Sequence, residues 1–226
     1  QANHLLYEFP GSLAEGRTRL SEWQAEVTVL RGELAQWKNR IPERSPGSDR
    51  TLSFNEQVSE LLAREEFAEK MESFWRSRLP GNFNARNNHL VATLEFMGDM
   101  PVLSADFGHV TRLTLNGNKN ITAIPPFLQR FPNLRILELR SFDLEPSDLP
   151  SLDLSGLTTL ELKNCDLVLT PENEAALLTM SQIEVLDLSG NPIGYLFDLK
   201  LLPTLKTLDL SSTYISQVPP GFLDLP

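Results

Sequence analysis

Five nine-residue phrases between Val110 and Thr213 share one spacing, L-x-x-L-x-L-x-x-N, and that spacing leaves the chain few ways to fold. They read VTRLTLNGN (110–118), LRILELRSF (134–142), LTTLELKNC (157–165), IEVLDLSGN (183–191) and LKTLDLSST (205–213). They begin at 110, 134, 157, 183 and 205, so successive units are 24, 23, 26 and 22 residues long. Alternation of apolar and polar residues predicts a short strand in each unit, with positions one, four and six turned inward. No such strand can bury its apolar side alone, so the units must stack and share a core. The ninth position ordinarily holds Asn, whose amide can satisfy backbone groups where the chain leaves the strand. Here it reads Asn118, Phe142, Cys165, Asn191 and Thr213, and the bulk of Phe142 predicts a locally irregular turn.

This is the leucine-rich-repeat signature. It predicts an α/β chain: a leucine-rich-repeat solenoid with a parallel sheet on its concave face, preceded by an N-terminal helical hairpin as cap. Residues 1–88 form the helical region and 89–226 the solenoid. The solenoid has one degenerate unit, starting at LVATLEF with Val91, Leu94 and Phe96 as its inward positions, and five clear ones. Its stop at Leu225-Pro226, where a new strand falls due, implies a fragment of a longer solenoid. Return segments bring their own apolar anchors, Ile121, Ile124, Leu128 and Phe131 in one unit and Ile193, Leu196, Leu199 and Leu202 in another. Pro125-Pro126 and Pro219-Pro220 favour extended or turn geometry over long helix. In the 26-residue unit, TPENEAALLTM (170–180) predicts a true helix with Thr170 as N-cap and Pro171 in the first turn.

Leu20, Trp23, Val27, Leu30, Leu34 and Trp37 recur at spacings of three and four, the seam of one long helix over 13–40. Pro42 ends it, and ERSPGSDR (43–50) reads as a linker. A second helix is predicted from Ser53, with Glu56 completing a capping box, to near Pro80. Its buried side would use Val58, Leu61, Leu62, Phe67, Met71, Phe74 and Trp75. The pair can serve as a cap for the open end of the core, as a docking or hinge element, or as a membrane-lying unit. The mixed charge of its polar side disfavours the last.

A formal net charge of −10 speaks against binding a phosphate backbone, so no nucleic-acid partner is expected. The acidity is shared, with 12 Lys and Arg against 16 Asp and Glu in residues 1–109, and 8 against 14 in 110–226. No apolar run is long enough to span a membrane, and the first residues show no signal peptide. One cysteine allows no internal disulfide, which favours a reducing compartment.

Catalysis finds no foothold. His4, His89 and His109 form no ligand spacing with Cys165, and they read as surface or cap residues. Cys165 is accounted for as a ninth-position residue, and no glycine-rich phosphate loop is present. No catalytic residue, metal or cofactor is therefore expected. The informative chemistry lies on the outward columns of the strands. The third position gives Arg112, Ile136, Thr159, Val185 and Thr207; the fifth Thr114, Glu138, Glu161, Asp187 and Asp209; the seventh Asn116, Arg140, Lys163, Ser189 and Ser211. Parallel strands lie about 4.8 Å apart, so the fifth column becomes a ladder of four carboxylates. Arg140 and Lys163 stand beside Glu138 and Glu161, whereas Asp187 and Asp209 have only serines. The face is thus expected to be near neutral in its first half and negative in its second. It suits a protein partner with a basic or hydrogen-bond-donating patch, with Ile136 and Val185 adding apolar contact.

Three stretches, SEWQAEVTVLRGELAQWKNR (21–40), FAEKMESFWR (67–76) and LEFMGDMPVLSADFGHVTRLTLNGN (94–118), carry a resemblance. They resemble the toxin-like leucine-rich-repeat effectors of Gram-negative bacteria that end in a novel-type (NEL) ubiquitin-ligase domain. The resemblance implies that the repeats select a substrate or hold a ligase inactive, and that the protein is bacterial and is secreted or translocated into the host cytoplasm. The family's ligase uses a Cys-x-Asp motif, which this chain lacks: Cys165 is followed directly by Asp166. No catalytic residue carries over, and any ligase activity would reside outside these residues. The leading reading is a protein-recognition module of a bacterial effector. The alternatives are an autoinhibitory or substrate-recognition arm of a ubiquitin ligase, and a spacer with no specific ligand.

Overall fold

The computed structural model describes residues 11–78 and 87–224; His4, the helix end expected near Pro80 and the stop at Leu225-Pro226 lie outside them. The first elements of the described residues are α1 (Leu13–Lys38) and α2 (Phe54–Arg76). Both start at capping boxes, Ser12 with Glu15 and Ser53 with Glu56, which satisfy backbone N–H groups that a first turn leaves without partners. Ion pairs Lys38–Glu65, Arg31–Glu72 and Arg78–Glu26 run in opposite chain directions, so the helices are antiparallel.

A six-stranded, all-parallel sheet follows. It is built from β1 (His89–Thr93), β3 (Arg112–Asn116), β5 (Ile136–Arg140), β6 (Thr159–Lys163), β7 (Val185–Asp187) and β8 (Thr207–Asp209), paired in that order. The small strands β2 (Gly98–Asp99) and β4 (Ile121–Thr122) pair with each other alongside. Two short α-helices lie in the return segments, α3 (Ile124–Leu128) and α4 (Pro171–Leu177). The first is only five residues long, so Pro125-Pro126 admit a short turn of helix and no long one: prolines fit a helix's first turn, where their missing N–H has no bond to lose. In the second, Thr170 Oγ1 accepts from Asn173 N–H at 3.1 Å, as its sequence implied. One hydrophobic cluster runs from Leu30, Trp37 and Trp75 through Phe96, Phe107 and Phe127 to Leu205.

Two expectations require correction. The degenerate first unit is shifted by four residues. Leu90 pairs with Leu113 and Ala92 with Leu115, so the inward positions of β1 are Leu90 and Ala92, and Val91 points outward. Leu94 and Phe96 are buried, but after the strand, where Asn118 Nδ2 donates to both of their carbonyls at 2.9 and 3.0 Å. In α2 the first half of the expected buried side faces solvent. Phe54, Val58, Leu61 and Leu62 are exposed, while Glu60 and Arg64 take the inward positions ahead of Phe67, Met71, Phe74 and Trp75.

The reason lies in the backbone groups that this end of the core would otherwise strand. Arg64 donates to Trp37 O and Met97 O, both at 2.8 Å, and the Glu60 carboxylate accepts Met97 N–H at 3.1 Å. The Arg64 guanidinium lies 4.7 Å over the Trp37 ring, and Trp37 Nε1 donates to Asp99 O at 2.7 Å. Gly98, at φ +89°, passes so close that an added Cβ would stand 3.2 Å from Arg64 Nη2. Burial pushes the Glu60 carboxyl up, against the opposing pull of Met97 N–H and Arg64. A charged pair thus occupies inward positions because buried carbonyls and an N–H there need partners.

Candidate functional site

The outward columns of the sheet form one continuous polar surface, and their register is explicit. Glu138 lies beside Glu161, Glu161 beside Asp187, and Asp187 beside Asp209. Thr114 precedes them in the same column, and the corrected register of β1 adds Val91 ahead of it and His89 ahead of Arg112. Ile136, Thr159 and Val185 continue the third column half-buried, and Thr207 ends it exposed.

Pairing across this surface is diagonal. Arg112 forks onto Glu138 through Nε and Nη2, both at 3.0 Å. Arg140 forks onto Glu161 and lies 3.9 Å from Glu138. The expected neighbours within a strand, Arg140 with Glu138 and Lys163 with Glu161, are therefore not the principal pairs. A guanidinium is long enough to cross to the next strand and meet both carboxylate oxygens, a geometry that a pair on one strand does not offer. Lys163 is exposed and forms no ion pair within 4.0 Å among the described residues.

The consequence is that Thr114 and Glu138 are buried rather than displayed. Thr114 donates its hydroxyl proton to Glu138, so His89 Nε2, 2.8 Å from Thr114 Oγ1, must carry the proton of that contact. His89, Thr114, Glu138 and Arg112 thus form one closed network. Burial alone would raise the Glu138 carboxyl. The Arg112 and Thr114 hydrogen bonds, with the charges of Arg112 and Arg140, outweigh it and hold the carboxyl below its usual range. Burial, with Arg112 nearby, pulls the His89 imidazole down, partly offset by Glu138.

The other half of the surface is open. Asp187 accepts Ser189 N–H and Asp209 accepts Ser211 N–H, each at 2.8 Å. Neither carboxylate has an ion-pair partner within 4.0 Å among the described residues. Ser211, through its N–H and then its hydroxyl, holds the Asp209 carboxyl below its usual range, with help from the more distant charge of Lys163.

The ninth column does structural work of uneven quality. Buried Asn191 donates to the carbonyls of Leu162 and Leu188 and accepts from the N–H groups of Cys165 and Leu167. Phe142 offers no such bonds, and Ser141 before it adopts φ +62°. Its ring lies over Gly117, where an added Cβ would stand 2.5 Å away. Lys119 of the preceding unit supplies the missing donor, with Nζ 2.8 Å from both Phe142 O and Asn164 O. The fully buried Cys165 thiol lies 3.4 Å from Leu139 O, and burial pushes it up to about 11, far from a reactive thiolate.

Among the described residues no cluster of His, Cys, Asp and Glu is placed to hold a metal, and no helix is long and apolar enough to cross a membrane. A cavity of about 380 Å³ is lined by the turns leading into β5 and β6, including Phe131, Leu134, Asp153 and Gly156, and by none of the outward columns.

The family model for the Leucine Rich Repeat matches residues 204–225, which contain the phrase LKTLDLSST. That unit is a leucine-rich repeat. A motif of this kind points to protein–protein interaction rather than catalysis. No curated protein matches the chain.

Proposed function

We propose that the stacked units form a leucine-rich-repeat solenoid, and that the outward columns of its sheet are a recognition face for a protein partner with a basic or hydrogen-bond-donating patch. The observation carrying this reading is the adjacency of Asp187 and Asp209 in one register column, each held by the serine two residues further on and by no ion pair among the described residues. Two carboxylates on neighbouring strands repel until a cation is brought to them, and a partner's Lys or Arg supplies one. Half-buried Val185 beside Asp187 gives the same contact an apolar component. The stretches 21–40, 67–76 and 94–118 support assigning this module to a bacterial effector acting in a host cell, as its substrate- or partner-binding segment.

Capture from host-cell lysate, with the wild-type chain and the Asp187→Lys, Asp209→Lys double variant as baits, tests the face. The reading requires loss of the captured partner with the variant; an unchanged set would remove the acidic half from the binding site. The ligase connection is a separate question, decided by whether the complete gene encodes a domain with a Cys-x-Asp motif.

A further inference from the structure

Each unit enters its strand through a turn, and the residue just before the nine-residue phrase can tie that turn to the one before it. Asn133 Nδ2 donates to Gly108 O at 2.7 Å, and Thr204 Oγ1 donates to Ile183 O at 2.7 Å with Ser181 O at 3.4 Å. The same place in the third unit is Gly156, which has no side chain to give. The carbonyl that corresponds to Gly108 O is there Pro132 O, and it accepts no hydrogen bond among the described residues. The turn is also slimmer: Phe131-Pro132-Asn133 of the second unit is matched by Leu154-Ser155-Gly156 in the third. Both turns line the cavity of about 380 Å³, a size that seats a small group.

The apolar lining includes Leu128, Phe131, Leu134, Leu152 and Leu157, and the charged lining is one cation, Arg135, and one carboxylate, Asp153. Asp153 is engaged within its own turn, accepting the N–H of Ser155 at 3.1 Å and its hydroxyl at 2.6 Å. The exposed Arg135 donates through Nη1 to Gly156 O at 3.1 Å and forms no ion pair within 4.0 Å among the described residues. Its remaining N–H groups are free to meet an anion.

We propose that this cavity binds the C-terminal residue of a partner polypeptide, one with a large apolar side chain. That side chain fills the cavity, the residue's backbone N–H donates to Pro132 O as Asn133 does to Gly108 O, and its terminal carboxylate is held by Arg135. The three features select this occupant together. A fatty acid would satisfy Arg135 and the apolar lining but bring no donor to Pro132 O, and an apolar segment inside a chain would bring no carboxylate. The site is separate from the outward columns and independent of what binds them.

Heteronuclear NMR titration of the 226-residue chain tests it, with a peptide ending in Gly-Ser-Gly-Leu and a free carboxylate as the probe. Saturable shifts are expected at amides within 131–135 and 153–157, with a Kd of about 0.1 to 1 mM, as suits one anchored residue. The same peptide with an amidated C-terminus should bind at least about tenfold more weakly, and so should octanoate, which has the carboxylate and apolar chain but no N–H. Arg135→Gln, at an exposed position, should weaken the free-carboxylate peptide by about tenfold. Gly156→Asn should abolish binding, because its amide takes the place of the peptide N–H. An added Cβ at Gly156 meets only Leu134 O, at 3.5 Å, so this variant should keep the wild-type fold. Absence of saturable shifts overturns the proposal. So does equal binding of the amidated peptide or of octanoate, or binding indifferent to Arg135→Gln or to Gly156→Asn.

Discussion

The first and second halves of the sheet surface are built on the same columns and the same strand spacing, yet they present opposite chemistry. From β1 to β6 every carboxylate of the fifth column is engaged by a guanidinium from the strand before it, and Glu138 is also held by Thr114. From β7 to β8 the column continues with Asp187 and Asp209, and the seventh position of the unit before holds Lys163 and then Ser189, where Arg140 stood for Glu161. Length and fork geometry decide the difference. Arginine reaches diagonally and binds both oxygens, whereas a lysine at the same place stays in solvent. The first half is part of the scaffold, and the second keeps carboxylates that no ion pair engages among the described residues.

If that contrast is right, stability should fall steeply for changes in the first half and hardly at all in the second. Glu138→Ala should destabilise by about 2 kcal/mol in urea unfolding, because it strands the Arg112 fork and the Thr114 hydroxyl at a buried position. A loss below about half of that would place the network among ordinary surface pairs. The pH dependence follows the same residue. Its carboxyl is held below the usual range, so its contribution is fully present above about pH 4, the unfolded value, and is lost as pH falls through the folded one. Wild type should therefore lose more stability between neutral and acidic pH than Glu138→Gln, and parallel profiles would contradict the assignment. Arg140→Ala, at a more exposed guanidinium, should cost about 1 kcal/mol. Asp187→Ala should change stability by less than about 0.5 kcal/mol while reducing partner capture. An Asp187 effect as large as that of Glu138 would erase the distinction between the halves.

The sequence made the columns legible because a period-two pattern with fixed spacing leaves no freedom in which residue follows which on a parallel sheet. It therefore placed Glu161, Asp187 and Asp209 in order, and it found the serines beside the last two. It could not say which cation reaches which carboxylate, since that depends on side-chain length across the gap between strands: Arg140 paired one strand further on than adjacency implied, and Arg112, with no carboxylate beside it on its own strand, took Glu138. The first strand was misplaced for a different reason. LVATLEF contains Leu94 and Phe96 at repeat-like spacing, but both belong to the buried turn after β1, and this shift hid His89 and Val91 from the outward columns. In α2 the rule that apolar residues face inward failed at Glu60 and Arg64. The carbonyls of Trp37 and Met97, invisible in a linear reading, were the groups that called them in. A charged i, i+4 pair set in phase with Phe67 and Met71 was the available signal.

Recognition by the half of the surface around Asp187 and Asp209, as proposed, makes a prediction that is local in the chain. Hydrogen-exchange mass spectrometry of the complex with the captured partner tests it most directly, because backbone protection maps the contact without altering a residue. New protection is expected over residues 185–189 and 207–211, with little change over 112–116. Protection confined to α2 or to the turns around the cavity, with none on β7 and β8, would contradict it.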